Sequence, residues 1–402
     1  MSYKIAFFTD THLGYSARCR SHAATGLNER VRDGYRGFRQ TIQDIVAHEP
    51  DVVIHGGDLF HRSHPTITDI HWARQQLLEF HRAGIPFIGL TGNHDFANER
   101  GRMPATAAVS DADRSITMIT SPSELLTPVE GLAIHAVSHA GLAAATRAVP
   151  EPIDGAVNIF TSHGAAQVPG HEIFACVDSP GEAVIGYDTL ALPWNLGLLG
   201  HYHGQGPLPG FAGGQGTEIW YGGSLLRRGF SDPPGVRGWI LATVRPDGHV
   251  EIESMAIAQR PQYDLPVIDA MGMSGAGVEE AMLTNLADID ISEAIIRQRV
   301  VNCSLPTRRA VDTAHLARIT ESALIWQPEF IRPASTDFAP LTDSEESVAS
   351  LRTAGASNLP AMWKGWAPRY AEERSLTDES TKHIIEEGAA LLEAARSGDG
   401  ES

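Results

Sequence analysis

The chain of 402 residues is poor in cysteine and in lysine, and it contains no long apolar run. Its cysteines, Cys19, Cys176 and Cys303, lie too far apart in sequence for a redox pair or a structural zinc site. No apolar stretch is long enough to span a bilayer, and the first residues lack the basic and apolar regions of a signal peptide. These absences predict a cytoplasmic protein in a reducing compartment, with no membrane partner.

Positive charge is scarce and is carried almost entirely by arginine. The formal net charge is −18, and the only lysines are Lys4, Lys364 and Lys382. An acidic protein repels nucleic acid unless its basic groups are concentrated locally. One short segment concentrates them: Arg18, Arg20, Arg30, Arg32, Arg36 and Arg39. Spacing alone leaves two interpretations open, a solvated helix face or a patch whose guanidinium groups bind phosphate.

Polar side chains follow five predicted strands at the point where each strand ends. Apolar runs predict strands at 5–9, 51–55, 85–90, 156–161 and 196–199, with helices at 28–48 and 66–82 between the first three. Ligands of open α/β sheets bind at the carboxyl ends of strands. The polar residues at these ends are Asp10 and His12, Asp58, Asn93 and His94, His163, and His201 and His203.

This mixture of carboxylate, imidazole and amide is typical of sites for borderline divalent ions. In Asp10-x-His12 and His201-x-His203 the alternate side chains share one side of an extended chain. The ligand atoms are too many for one ion and suit two, and two ions about 4 Å apart can clamp a phosphate. A lone histidine such as His163 is more often a core residue, but the ordered set favours a metal centre.

The ordered blocks D-x-H, G-D, G-N-H-D, H and G-H-x-H resemble the calcineurin-like metallophosphoesterases. The resemblance implies an α/β fold, a four-layer αββα sandwich, with a dinuclear centre of two Mn²⁺ or other divalent transition metals. It implies that one ion binds Asp10, His12, Asp58 and His203. It implies that the other binds Asn93, His163 and His201, with Asp58 bridging the two. His94 is then a catalytic residue that contacts the phosphate and helps to protonate the leaving oxygen.

Within that family the chain most resembles the SbcD-type branch, the nuclease subunits of double-strand-break repair complexes. The stretch from Gly57 to His61 carries the extra histidine of that branch, so His61 is a second candidate catalytic residue. The late stretch 221–225, with the two arginines after it, resembles the substrate-side loop of the branch. The residues predicted to bind DNA are therefore Arg18, Arg20, Arg227 and Arg228.

Composition predicts four segments: a catalytic domain at 1–262, a small α/β capping domain at 263–335, a linker at 336–375, and a C-terminal helical segment at 376–402. Within the last segment, the spacing of apolar residues predicts an amphipathic helix at 378–396. In the family the region after the cap binds the coiled-coil base of an SbcC-type ABC ATPase, which is therefore the expected partner. The alternative is that the helix folds back on its own catalytic domain. Trp363 and Trp366 in the linker pack locally or serve as an anchor.

Taken together, these features predict a Mn²⁺-dependent DNA nuclease of double-strand-break repair. The alternatives are a small-substrate metallophosphatase or cyclic-nucleotide phosphodiesterase, and a scaffold that uses the fold only for binding. The ligand residues are intact at every position, which disfavours the scaffold, because a scaffold could lose them at no cost. The resemblance also implies a homodimer through helices 28–48 and 66–82, unless their apolar faces simply cover the sheet.

Overall fold

A computed structural model describes residues 2–96, 103–144, 151–171, 183–211 and 217–333, with a few positions between 363 and 388. The chain divides into two compact units. The first comprises Met1–Ile268, Ala276–Arg299 and Asp312–Glu329, and the second comprises Asp269–Gly275, Val300–Val311 and Phe330–Ser402. The predicted boundaries at 262 and 335 stay predictions. No helix among the described residues has the length and apolar character needed to cross a membrane.

The elements, in chain order, are β1 (Tyr3–Phe8), α1 (Glu29–His48), β2 (Val52–His55), α2 (Ile67–Arg82), β3 (Phe87–Leu90), β4 (Ile116–Ile119), β5 (Ser123–Val129), β6 (Leu132–Val137), α3 (His139–Ala143), β7 (Val157–His163), β8 (Ala165–Ala166), β9 (Val184–Ile185), α4 (Tyr187–Leu190), β10 (Leu196–Gly200), β11 (Gly206–Pro207), β12 (Glu218–Tyr221), β13 (Gly238–Val244), β14 (Val250–Ala256), β15 (Gln262–Asp264), β16 (Ile268–Asp269), α5 (Gly275–Ala287), β17 (Ile295–Val301), α6 (Leu305–Ala310), α7 (Thr313–Ile319) and β18 (Ile325–Phe330). Two 3₁₀ turns, Ala105–Val109 and Ala112–Arg114, precede β4.

Two six-stranded sheets form the centre of the first unit. One has the order β14-β13-β1-β2-β3-β4, and the other has the order β11-β12-β10-β7-β6-β5. Strands β1 to β4 are parallel, as are β12, β10, β7 and β6. A parallel bridge between Thr9 and Ser224 joins the end of β1 to the residues after β12. The carboxyl ends of strands from both sheets therefore come together at one edge.

The apolar core lies in three layers. Residues such as Phe7, Ile54, Ile159 and Leu198 pack between the two sheets. The outer face of the first sheet packs against α1 and α2, and the outer face of the second packs against α3, α4 and neighbouring loops. The result is helix, sheet, sheet and helix in succession, which confirms the predicted four-layer αββα sandwich.

The two long helices owe their ends to local signals and their stability to the sheet. The side chain of Asn28 accepts a hydrogen bond from the amide of Arg30, which caps the start of α1. Thr66 and Asp69 form a capping box at the start of α2. The apolar faces of both helices are buried against the first sheet. They therefore cannot also serve as a dimer interface, and the predicted homodimer would need other faces of these helices.

Short helices and strands alternate in the later part of the chain. Ser304 caps α6, which has Pro306 in its first turn, and α7 ends at Ile319. In the first unit β15 pairs in parallel with β17. The predicted linker and C-terminal helix lie largely outside the described residues. Within the range of the predicted C-terminal helix, the structure describes 381–383 and 385–388 as helical. Trp363 is in a helical position, and Trp366 lies outside the described residues.

The packing between the sheets generates a stability prediction. Ile159 is fully buried there, so Ile159→Ala should lower the free energy of unfolding by about 2–5 kcal/mol, measured by urea denaturation. Leu125 on β5 of the same sheet is 50% exposed, and Leu125→Ala should change the free energy by no more than about 0.5 kcal/mol. Equal losses in the two variants would contradict this packing.

Candidate metal centre

Four of the predicted ligands occupy a backbone conformation that only glycine adopts freely. The φ angles are 51° at Asp10, 44° at His12, 54° at Asp58 and 99° at His201. Each such residue costs about 1–3 kcal/mol and persists only where the surrounding structure fixes it. The amides of Asp10 and His12 donate to the carbonyls of Gly57 and Asp58, each at 3.0 Å. These bonds extend the pairing of β1 with β2 and turn the side chains into the site.

The first group of ligand atoms comes from Asp10, His12 and His203. His12 Nε2 lies 3.4 Å from His203 Nε2 and 3.8 Å from Asp10 Oδ1. His203 Nε2 lies 3.6 Å from the same carboxylate oxygen. Three atoms that face one another at this spacing can hold one ion between them.

The second group comes from Asn93, His163 and His201. Asn93 Oδ1 lies 3.0 Å from His163 Nε2 and 3.2 Å from His201 Nδ1. Asp58 lies between the two groups, with Oδ1 3.5 Å from His163 Nε2 and Oδ2 3.6 Å from His12 Nε2. The structure thus brings together all seven predicted ligands and places the carboxylate of Asp58 where it can bridge two ions.

The donor set fits divalent ions on chemical grounds. Asp10 Oδ1 and His12 Nδ1 are buried and have no hydrogen-bond partner among the described residues. A buried carboxylate oxygen without a partner is costly unless a cation compensates for it. Burial lowers the pKa of His12 well below its ordinary value, so the ring is neutral and keeps a lone pair. Neutral imidazole and ionised carboxylate are the forms that bind metal.

Charge at the centre is divided between Asp58 and His163. Burial alone would raise the pKa of Asp58, but the charge and hydrogen bond of His163 hold that pKa well below its usual value. Burial would lower the pKa of His163, but Asp58 outweighs it and raises the pKa to about 9. The carboxylate therefore stays ionised and requires positive charge beside it.

Close approach of backbone to ligand requires glycine at two positions. A Cβ at Gly92 would lie 2.2 Å from Asp58 Oδ1 and 2.4 Å from Asp58 N. A Cβ at Gly57, where φ is 104°, would lie 2.4 Å from His163 Nδ1. The glycines of the G-D and G-N-H-D blocks thus leave the space in which Asp58 and His163 lie.

The two predicted catalytic histidines stand beside the ligands at the more open side. His94 Nε2 lies 4.0 Å from Asp58 Oδ2, and its side chain is 36% exposed. His94 Nδ1 donates to the carbonyl of His61 at 2.9 Å. The two rings stack with centroids 5.4 Å apart, and the ring of His12 meets His94 edge-on at 4.8 Å. The remaining nitrogen of His94 therefore faces the ligands.

Only one of the four arginines predicted to bind DNA reaches this site. The guanidinium of Arg228 lies 2.8 Å from His203 Nε2 and 3.4 Å from His61 Nδ1. Arg227 lies over the ring of Phe230, Arg20 pairs with Glu293, and Arg18 is exposed.

The arginines of α1 are mostly engaged within the protein. Arg30 and Arg36 pair with Asp33, and Arg32 pairs with Glu29. The predicted basic segment is therefore largely neutralised by neighbouring carboxylates, which favours the interpretation as a helix face over that of a phosphate patch.

Two carboxylates at the site were given no role from the sequence. Buried Asp95 accepts from the amides of Phe60, Leu59 and Gly92 at 2.8, 3.0 and 3.1 Å, and so ties together the loops after β2 and β3. Burial, with the nearby charge of Asp58, raises the pKa of Asp95 to about 7. Asp95 stands inside a motif, which could have drawn attention to it.

The other carboxylate is Asp232, which contacts the ring of His203 at 2.8 Å. Burial would raise the pKa of Asp232, but His203 and the amide of Arg228 lower it to about 2. It belongs to none of the motif blocks, so no sequence signal identified it.

A four-layer αββα sandwich with two adjoining groups of metal ligands at its strand ends defines a dinuclear metallophosphoesterase architecture. Residues 3–175 match the family model described as calcineurin-like phosphoesterase.

Curated relatives carry the name DNA double-strand break repair protein Mre11. The protein from Haloferax volcanii is 26% identical over 291 residues, which are 71% of this chain and 58% of that protein. The Methanococcus maripaludis protein is 40% identical over 86 residues, 21% of each chain. The Saccharolobus solfataricus protein is 33% identical over 110 residues, 27% of each chain. The matched residues thus span less than two thirds of the length of each of these relatives.

The glycine at position 92 provides a test of the geometry. Gly92→Ala should displace Asp58 and lower Mn²⁺ affinity, with a stability loss of about 1–3 kcal/mol from overpacking, measured by isothermal titration and thermal melting. Gly34 in α1 has open space around its Cα, so Gly34→Ala should bind Mn²⁺ as the wild type does. Undiminished Mn²⁺ affinity in Gly92→Ala would show that the loops do not approach as closely as described.

Proposed function

We propose that this chain is a Mn²⁺-dependent DNA nuclease of double-strand-break repair, the counterpart of the nuclease subunit in an SbcC–SbcD-type complex. The observation that carries the proposal is the meeting of seven ligand side chains from five strand ends, with Asp58 between two groups. The family match supports phosphoester hydrolysis. The names of the relatives support DNA as the substrate and break repair as the setting.

In this proposal the ligand side chains divide into two sets that share one carboxylate. Asp10, His12, Asp58 and His203 would hold one ion, and Asp58, Asn93, His163 and His201 would hold the other. Two divalent ions, when bound, supply Lewis-acid activation of the phosphoryl group and of the attacking water. The protein holds the ligands in place through the strained turns and the backbone bonds between them.

His94 is placed to handle a proton without binding an ion. Its Nδ1 proton is held by the carbonyl of His61, so Nε2 is the atom that faces the site. We propose that Nε2 donates a hydrogen bond to the phosphate and a proton to the leaving oxygen. His61 supports this ring by stacking on it and, in this proposal, also contacts the substrate.

Binding of DNA is assigned first to Arg228, because its guanidinium lies beside the ligand His203 and so beside the expected phosphate. Arg18, Arg20 and Arg227 are proposed as outer contacts to the DNA backbone. On a chain with a net charge of −18 these contacts are local, and binding should weaken steeply with added salt.

The partners proposed are an SbcC-type ABC ATPase, bound through the C-terminal helix, and a second copy of the chain. The setting is cytoplasmic. The resemblance to the SbcD-type branch supports the ATPase and the homodimer. Because the apolar faces of α1 and α2 are buried against the first sheet, a dimer interface on these helices would use their other faces.

The nuclease proposal predicts Mn²⁺-dependent cleavage of labelled duplex or single-stranded DNA by the purified protein. The measurement is gel analysis of 5′- and 3′-labelled substrates, which also separates exonuclease from endonuclease products, with a chelator and the Asp58→Asn variant as controls. Hydrolysis of p-nitrophenyl phosphate esters without any DNA cleavage would refute the nuclease and support a small-substrate phosphatase or cyclic-nucleotide phosphodiesterase.

If His94 acts on the proton and not on the metal, its removal should slow hydrolysis without weakening metal binding. His94→Ala should keep both ions and lose about 10²–10⁴-fold in the rate of hydrolysis, measured by metal analysis and single-turnover kinetics. His71 is an exposed histidine on α2, and His71→Ala should match the wild type in both. Under-occupied ions in His94→Ala would make His94 a ligand instead.

A further inference from the structure

We propose that Asp232 is a positioning residue that fixes the ring of His203 for metal binding and holds the backbone of Arg228 with the same carboxylate. This inference rests on the proposed role of His203 as a ligand. Asp232 lies in the loop between β12 and β13, outside all the motif blocks, and its side chain is 9% exposed.

Each oxygen of Asp232 has a different donor. Oδ1 accepts from His203 Nδ1 at 2.8 Å, and Oδ2 accepts from the amide of Arg228 at 2.7 Å. One carboxylate therefore connects His203, at the end of β10, with the arginine whose guanidinium lies against the ring of His203. A movement of Asp232 would disturb both.

The contact with Asp232 determines which nitrogen of His203 carries a proton. An ionised carboxylate only accepts hydrogen bonds, so Nδ1 must bear the hydrogen. In the neutral ring, which is the form that binds metal, the lone pair is then on Nε2. The guanidinium nitrogen of Arg228 lies 2.8 Å from Nε2 and 3.2 Å from Nδ1, so this contact does not distinguish the two ring nitrogens. Nε2 is also the atom that lies 3.4 Å from His12 and 3.6 Å from Asp10. The tautomer held by Asp232 is thus the one that presents a lone pair to the other ligands.

The backbone of His203 is fixed independently of Asp232. Its carbonyl accepts from the amide of Ser224 at 3.1 Å and from the guanidinium of buried Arg237, which also bonds the carbonyl of Pro233. With the main chain held in this way, the remaining freedom of His203 is the rotation and tautomer of its ring. Asp232 restricts both.

A carboxylate is needed because both donors must be satisfied at once. An amide at this position offers one oxygen and one NH₂ group, so Asp232→Asn can accept from His203 or from Arg228 but not from both. If the NH₂ group turns to His203, it stabilises the tautomer with hydrogen on Nε2, which has no lone pair for an ion. An alanine removes both contacts and leaves the buried ring unsupported.

The test is Mn²⁺ titration of the metal-free Asp232→Asn and Asp232→Ala proteins by calorimetry, without DNA. We expect affinity at one of the two ion sites to fall about 10–100-fold, as for other groups that orient a metal-bound histidine. The other site should keep its affinity. Raised Mn²⁺ should restore kcat for hydrolysis, whereas the KM for substrate should remain elevated because Arg228 is no longer held.

Two controls separate positioning from other effects. Glu253 is an exposed carboxylate on β14, and Glu253→Gln, with the same change in charge, should bind both ions as the wild type does. A purely electrostatic effect of the lost charge would weaken both neighbouring ion sites alike, and that outcome would overturn the inference. So would wild-type affinity at both sites in Asp232→Ala, or loss of both sites together with the cooperative melting transition.

The outcome is independent of the choice of substrate. If the wild type binds two ions but cleaves no DNA, the proposed nuclease is refuted. The site-selective loss in the Asp232 variants would in that case still support the positioning role.

Discussion

The carboxylate of Asp58 is buried between the imidazoles of His12 and His163, at 3.6 and 3.5 Å, and the other features of the site accommodate it. A charge withdrawn from water in this way is tolerated only when hydrogen bonds and positive charge surround it. The amide of His94 donates to Asp58 Oδ1 at 2.8 Å, and Gly92 has no side chain to exclude it. Three strand ends thus converge on one carboxylate, which receives a hydrogen bond from the amide of His94 and the positive charge of His163.

The strained turns are stable because they continue the sheet rather than interrupt it. The amides of Asp10, His12 and Leu13 donate to the carbonyls of Gly57, Asp58 and Leu59, so the β1–β2 pairing extends past the last regular strand residue. Asp95 then ties the loop after β2 to the loop after β3 through three amides. Strain of about 1–3 kcal/mol per residue is offset by these bonds. The main chain that carries these ligands is consequently held by hydrogen bonds on both sides of the site.

The strands and the position of the ligands could be predicted because both depend on local pattern, whereas the four-layer sandwich was implied by the resemblance of the ordered motifs to a known family. Buried strands are short apolar runs, and a polar side chain directly after such a run must lie at the sheet edge. The role of Asp232 could not be predicted, because its partner His203 is 29 positions earlier in the chain and their contact depends on the β12–β13 loop. The pairing of Arg20 with Glu293 could not be predicted either, because the two residues are 273 positions apart in sequence.

The positive charge available to bind phosphate is concentrated at the site itself. Of the arginines that looked available in the sequence, Arg30, Arg32 and Arg36 are bound to carboxylates of their own helix, and Arg228 is the one that contacts ligand residues. The chain as a whole carries a net charge of −18, so its long-range field opposes the approach of a polyanion. In the proposed nuclease the attraction for phosphate must therefore come from within the cleft. Arg228 and the bound divalent ions provide it, and a protein depleted of metal should lose affinity for DNA as well as its ability to cleave it.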